Sequence, residues 1–206
     1  MQIKYKLQGM NMKKIGLTLF TLLFVTIIAN AQKTVNIDKK YYQVIYSETL
    51  KQPIAVDYGI RTKTCNATRA GMDFFAEKGV ITSSNADYAN NDWDKGHMAP
   101  AADFCFSKDA MLSTFSYANC ALQHYKLNRG VWKELEALER EWAKQDSIII
   151  HIDVIFGKNP AKTPGGAFIP RSFRKTITFY STKKKLIYEF PNVPPTKTLD
   201  KYLIKN

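Results

Sequence analysis

A single long helical period inside an otherwise strand-forming chain sets the fold class. Val131, Trp132, Leu135, Leu138 and Trp142 recur at helical spacing, which predicts an amphipathic helix over residues 128–144 with Asn128 near its N-cap. Around it the chain reads as strand. Residues 34–46 and 53–63 are rich in β-branched and aromatic side chains, and residues 147–156 (SIIIHIDVIF) form an apolar run of the fully buried type. Residues 115–121, 167–169, 174–180 and 185–189 add shorter strands, and residues 108–114 a short helix. Residues 85–92 and 160–166 carry the Asn, Asp, Gly and Pro of loops, while Pro100 confines residues 93–106 to an edge or bulged strand. With no internal repeat or low-complexity linker, this is one domain of the α+β class.

The first 31 residues stand apart from that pattern. Met12-Lys13-Lys14 gives a basic start, residues 15–28 are almost unbroken apolar sequence, and Ala29-Asn30-Ala31 supplies the small-x-small pattern of a signal-peptidase site. Residues 1–31 therefore read as a signal peptide starting at Met12, and residues 32–206 as the mature domain. The apolar run falls short of the roughly 20 residues of a bilayer crossing, which argues against a retained anchor. A secreted or periplasmic protein, with no stable membrane association after processing, is expected.

Four of the 30 Lys and Arg lie in the leader and none of the 18 Asp and Glu does, so the mature part keeps 26 bases against 18 acids. The excess is uneven, since nine Lys and Arg from Arg171 onward face only Glu189 and Asp200. A flank of this kind favours a polyanionic partner, although Lys-rich surfaces also serve solubility alone. Cys65, Cys105 and Cys120 form no CxxC pair. In an exported chain Cys105–Cys120 is the favoured bridge because both flank the candidate site. Three buried reduced thiols remain an equal alternative.

The stretch Trp93 to Asp103 reads as chemistry rather than packing. His97 follows a tight Asp94-Lys95-Gly96 approach, and Asn128, Glu136 and Arg140 lie on the predicted helix. Glu136 is eight residues from Asn128, about 12 Å of rise and roughly 80° around, and Arg140 is one turn further on. Each piece has an ordinary structural explanation: an N-cap, a surface ion pair, an exposed histidine. Their conjunction points instead to a ligand, a carboxylate behind it and a phosphate clamp, beside an imidazole able to take a proton.

These blocks resemble a known family. Asp94-Lys95-Gly96-His97-Met98-Ala99-Pro100-Ala101-Ala102-Asp103 is similar to the DRGH-x-APAAD block of the DNA/RNA non-specific endonucleases, the ββα-metal or His-Me-finger nucleases. Ser116-Tyr117-Ala118-Asn119 resembles their Ser-Asn segment, and Leu127-Asn128 through Leu135-Glu136 their LNxxxWxxLE helix. Arg69 to Phe74, Asp87-Tyr88, Ile169 to Lys175 and Pro191-Asn192 are similar to further blocks in the same order. The resemblance spans residues 69–192. It implies a mainly antiparallel sheet with one long helix carrying the metal ligand, and hydrolysis of DNA and RNA to 5′-phosphate and 3′-hydroxyl ends. It makes His97 the general base, Asn128 the one protein ligand of hydrated Mg²⁺ (or Mn²⁺), Glu136 the holder of metal-bound waters, and Arg69 and Arg140 the groups that steady the phosphate. Asp94, Lys95 and Lys175 are then expected to bind substrate. Lys95 departs from the family's usual Arg and gives up a bidentate fork.

A neutral imidazole should make activity rise through the ordinary titration of His97. Sequence readout should be weak and binding salt-sensitive. Two competing readings are a catalytically impaired nucleic-acid-binding protein on the same scaffold, and a zinc hydrolase using His97, His124 and His151. The histidine spacing fits no compact zinc pattern. Oligomeric state is left open.

Overall fold

Lys40 turns the chain back at φ 65°, its N–H bonded to the Asp38 carboxylate at 2.9 Å. The strand expected over residues 34–46 is therefore a hairpin of β1 (Thr34–Asp38) and β2 (Tyr42–Ser47). The computed structural model describes residues 33–205, and the leader expected over residues 1–31 lies outside them. With β3 (Gln52–Ile60), β6 (Ile148–Ile155), β7 (Ser172–Phe179), β8 (Lys185–Pro191) and β9 (Leu203–Lys205), the hairpin forms one seven-stranded antiparallel sheet in the order β1-β2-β3-β6-β7-β8-β9. A separate two-stranded ribbon pairs β4 (Trp93–His97) with β5 (Cys120–His124). The antiparallel α+β architecture agrees with the expectation.

The large sheet is covered on one face. Ile148, Ile150, Ile152 and Val154 of β6 point inward and are buried, while Ile149 is 49 % exposed. The fully buried run expected at residues 147–156 is thus a one-sided strand, whose outer face carries His151 bonded to Asp57 and Asp153. One core cluster joins the inner face to Ala121 of β5 and to Leu127, Trp132 and Leu135 of the helical run.

That run begins before its expected start. His124 caps it, its Nδ1 accepting from the Lys126 N–H at 3.1 Å. α3 (Tyr125–Leu127) leads into a distorted turn, Asn128–Trp132, and then α4 (Lys133–Trp142). Asn128 therefore lies inside the helix rather than at its N-cap. Within the distorted turn Gly130 leaves helical geometry (φ −102°, ψ −120°).

Other expectations shift by a few residues. The loop at residues 85–92 contains a short helix, α1 (Asn85–Tyr88), started by a reciprocal cap between Ser84 and Asp87. Asp87 is buried and also accepts from Thr163 and from the Ala167 N–H, tying down the loop at residues 160–166. Ala167 to Ile169 form no strand, only an isolated bridge at Phe168. β4 stops at His97 and a 3₁₀ turn, Ala101–Phe104, follows Pro100. α2 (Lys108–Ser113) appears as expected, while the strand expected over residues 115–121 is a 3₁₀ turn that gives way to β5. A 3₁₀ turn at Leu199–Tyr202 and β9 had no counterpart in the sequence pattern.

The cysteine pairing differs from expectation. Cys65 is bonded to Cys105, with Cα atoms 4.7 Å apart, and Cys120 is free and buried. On β5 the Cys120 side chain is turned into the core, where its thiol meets the Tyr88 hydroxyl at 3.4 Å. Cys105 instead receives the segment after β3, its carbonyl accepting from the N–H groups of Asn66 and Ala67 at 2.7 and 2.9 Å.

Candidate active site

The ribbon carries the motif to its working position. His97 ends β4 opposite Cys120, and beyond it Asn119 holds the chain on both sides of Ala99, accepting from its N–H and donating to its carbonyl at 2.9 Å each. Gly96 is required by close approach: a Cβ there would meet the Gln123 Cβ at 2.6 Å. His97 therefore projects from a fixed backbone. Its ring sits 5.0 Å from Phe74 and 5.1 Å from Phe115, partly open to a cleft while its Nε2 is buried without a protein partner.

The cleft, about 470 Å³, is where the two motif clusters meet. Arg69 and Phe74 come from the loop after β3, Lys95 and His97 from β4, and Asn128, Arg129, Lys133, Glu136 and Arg140 from the helical run. On a straight helix, Asn128 and Glu136 would point roughly 80° apart. The break at Gly130 lies between them, and both line the same cleft. Five cations against one lining carboxylate make this a place for a polyanion. None of the five comes from the basic stretch after Arg171, which the sequence had favoured. There Arg174 is paired with Glu189, Lys201 with Asp200, and Lys175 is buried.

Asp94 does not line the cleft but lies behind it. Its carboxylate takes the Arg129 fork at 2.6 and 2.8 Å and the Asn128 amide nitrogen at 2.8 Å. Burial alone would raise this carboxyl, but those hydrogen bonds and the Arg129 charge hold it below the usual range. Because a carboxylate only accepts, the Asn128 amide must turn its NH₂ to Asp94, which leaves its carbonyl oxygen for the cleft. Asp94, expected against substrate, orients the residues that face it.

Lys175 is corrected outright. It is fully buried on the inner face of β7, its ammonium 3.2 Å from Glu139 of α4 and 4.2 Å from the Trp132 ring, so it reaches no substrate. Lys95 lines the cleft, with its ammonium on the Asn85 side-chain oxygen and 5.0 Å from the Phe74 ring. Arg140 donates to Asp103 at 3.0 Å, and Arg69 lies over Phe115 at 5.5 Å.

Burial moves the titrations here. It pushes His97 down to about 3, helped by the Arg69 charge. It lifts Glu136 to about 7, against the pull of Lys175, and Asp103 to about 6, against the hydrogen bond and charge of Arg140. The histidine is neutral over the whole physiological range, and its base form does not wait for the ordinary imidazole titration. Among the described residues no group of three or more His, Cys, Asp and Glu is placed to hold a metal, and the three histidines fall on separate elements. The oxygen set fits a hydrated, oxygen-loving cation: one amide oxygen, with Glu136 on the same wall.

Arg129, Lys133 and Phe74 are cleft residues to which the motif reading gave no role. The first two were findable, since 129, 133, 136 and 140 recur at the spacing of one helix face. Phe74 ends the Arg69 to Phe74 block of the resemblance, but it stands in a loop without periodicity, so nothing there told its role.

The sequence profile described as DNA/RNA non-specific endonuclease matches residues 24–202. The mitochondrial nuclease EXOG of Xenopus laevis is 35 % identical over 94 residues, covering 44 % of this chain and 26 % of that protein. The mitochondrial endonuclease G of Bos taurus is 36 % identical over 78 residues, covering 36 % and 26 %. The matched stretches thus span about a quarter of these relatives. A crystal structure of the EndoG/EndoGI complex superposes with a TM-score of 0.75 at 20 % identity, over 82 % of this chain and 79 % of that one.

Proposed function

We propose, from the premise that this chain belongs to the DNA/RNA non-specific endonuclease family, that it is a metal-dependent endonuclease cutting the backbone of DNA and RNA. The observation that carries the reading is the convergence of His97 and Asn128, from a ribbon and a helix 31 residues apart in sequence, on one cationic cleft. The neutral His97 imidazole takes the proton of a water aimed at phosphorus. Arg69 and Arg140 hold the charge that grows on the phosphate oxygens. Asn128, through its amide oxygen, and Glu136, through ordered waters, would hold Mg²⁺, with Mn²⁺ an accepted substitute. That ion would neutralise the phosphate and favour departure of the 3′-oxygen. The ends left are a 5′-phosphate and a 3′-hydroxyl.

A base at about 3 is weak, because efficient proton transfer wants a pKa near the working pH. Substrate itself corrects part of this. A phosphate seated beside Arg69 cancels the second cause of the depression, so His97 gains basicity when there is a linkage to cut.

Secretion or periplasmic export is proposed from the leader together with the Cys65–Cys105 bond, which an oxidising compartment favours. Among the described residues no helix is long and apolar enough to cross a membrane.

One experiment tests the whole. Supercoiled plasmid and a structured RNA are incubated with the protein in Mg²⁺, in Mn²⁺ and in EDTA. Cleavage of both polymers with either ion and none in EDTA is expected. His97→Ala should lose about 10²- to 10⁴-fold in rate, and Asn128→Ala should raise the Mg²⁺ needed for half-maximal rate. Retention of DNA without cleavage under every ion would favour the impaired-scaffold alternative instead.

A further inference from the structure

The reaction cleft has a neighbour. A second cleft of about 150 Å³ opens beside it and shares Ala102 and Arg140 with it. Arg61 to Lys63, the residues that follow β3, line it together with Phe106. Arg61 and Lys63 lie two residues apart and are exposed. Neither forms an ion pair among the described residues. The one carboxylate in the cleft, Asp103, has its side chain 1 % exposed and is taken by Arg140.

The strip is also held firmly. Thr62 donates to the Ala143 carbonyl at 3.0 Å, fixing it to the end of α4, and two residues beyond Lys63 the Cys65–Cys105 bond fastens the chain again. Two uncompensated cations clamped side by side repel one another, and the Lys63 ammonium is shifted down by partial burial and by the charge of Arg61. An anion would relieve that repulsion. The Lys63 ammonium lies 3.5 Å from the centre of the Phe106 ring, so this ring is covered and offers no platform to a nucleotide base. Charge, not base stacking, is what the cleft can read.

We propose that this side cleft is a phosphate subsite, in which Arg61 and Lys63 hold a backbone phosphate of the strand flanking the linkage under attack. Arg140, shared by both clefts, joins it to the reaction site. The inference rests on the proposed nuclease function. It gives the protein affinity for a polymer over an isolated diester, without base preference, since phosphate contacts position rather than specify.

The test compares kcat/KM on plasmid DNA with kcat/KM on bis(p-nitrophenyl) phosphate, which has no flanking phosphate. In the double variant Arg61→Ser, Lys63→Ser, the polymer-to-diester ratio should fall about tenfold, and the salt dependence of KM on DNA should flatten by about 0.9 per lost phosphate contact. A control, Lys183→Ser with Lys184→Ser, removes two exposed cations from the turn between β7 and β8. Its ratio should match the parent's. A ratio unmoved in the Arg61/Lys63 variant, or lowered equally in the control, overturns the subsite. A parent that cleaves neither substrate overturns the nuclease function instead, so the two failures are told apart.

Discussion

His97 and Glu136 exchange the titration roles their residue types suggest. The imidazole, held at about 3 by burial and Arg69, is a free base long before neutrality. The carboxyl, lifted to about 7 by burial, gives up its charge as pH falls through that value. Since the proposed role of Glu136 needs the carboxylate, the acid limb of the pH–rate profile should belong to Glu136 and move below 7 as rising Mg²⁺ favours the charged form. Glu136→Gln should lower the rate at pH 8 and abolish that limb; a limb unmoved in the variant would return it to another group. At this scale the motif residues were legible because their chemistry and spacing are local. Lys175 was misread although its signal was present, since Phe173, Lys175 and Ile177 alternate onto one apolar face. Asp94 could not be placed from sequence, because its partners Asn128 and Arg129 lie 34 and 35 residues away.

Among the elements, the β4–β5 ribbon depends most on one residue. The Cβ of Gly96→Ala would overlap the Gln123 Cβ, whose position is fixed by its own backbone, so the strands must part. A loss of about 1–3 kcal/mol is expected, the scale of overpacking in a filled core. Denaturant unfolding checks it, and the activity loss should exceed the fraction unfolded because His97 is the adjacent residue. A variant as stable and as active as the parent would show that the ribbon tolerates the spread. Element type was readable wherever periodicity ran long, as in the helix and in β6. Boundaries were not, because they are set by single contacts. Lys40 at positive φ splits β1 from β2, His124 starts the helix early, and β9 exists only because β8 offers an edge.

For the molecule as a whole, the Lys175–Glu139 pair fastens α4, and with it Glu136 and Arg140, to the inner face of the sheet. Burial pushes the Glu139 carboxyl up, and the Lys175 ammonium pulls it back. Removing one partner strands the other, so Lys175→Met should cost about 3–5 kcal/mol. Lys175→Met with Glu139→Leu should recover most of that in the denaturation midpoint; an equal loss in the double variant would refute the coupling. The α+β class could be read from periodicity and the antiparallel sheet from the family resemblance, but this tie between layers could not, since it joins residues 36 apart on different elements. The way Asn128 is held carries a chemical consequence of its own. An amide whose nitrogen is already spoken for presents a hard oxygen alone, and the nearby wall adds only another oxygen donor. Thiophilic ions such as cadmium find no sulfur donor among the side chains of the cleft, so discrimination against soft cations is written into donor type before geometry is asked to contribute anything.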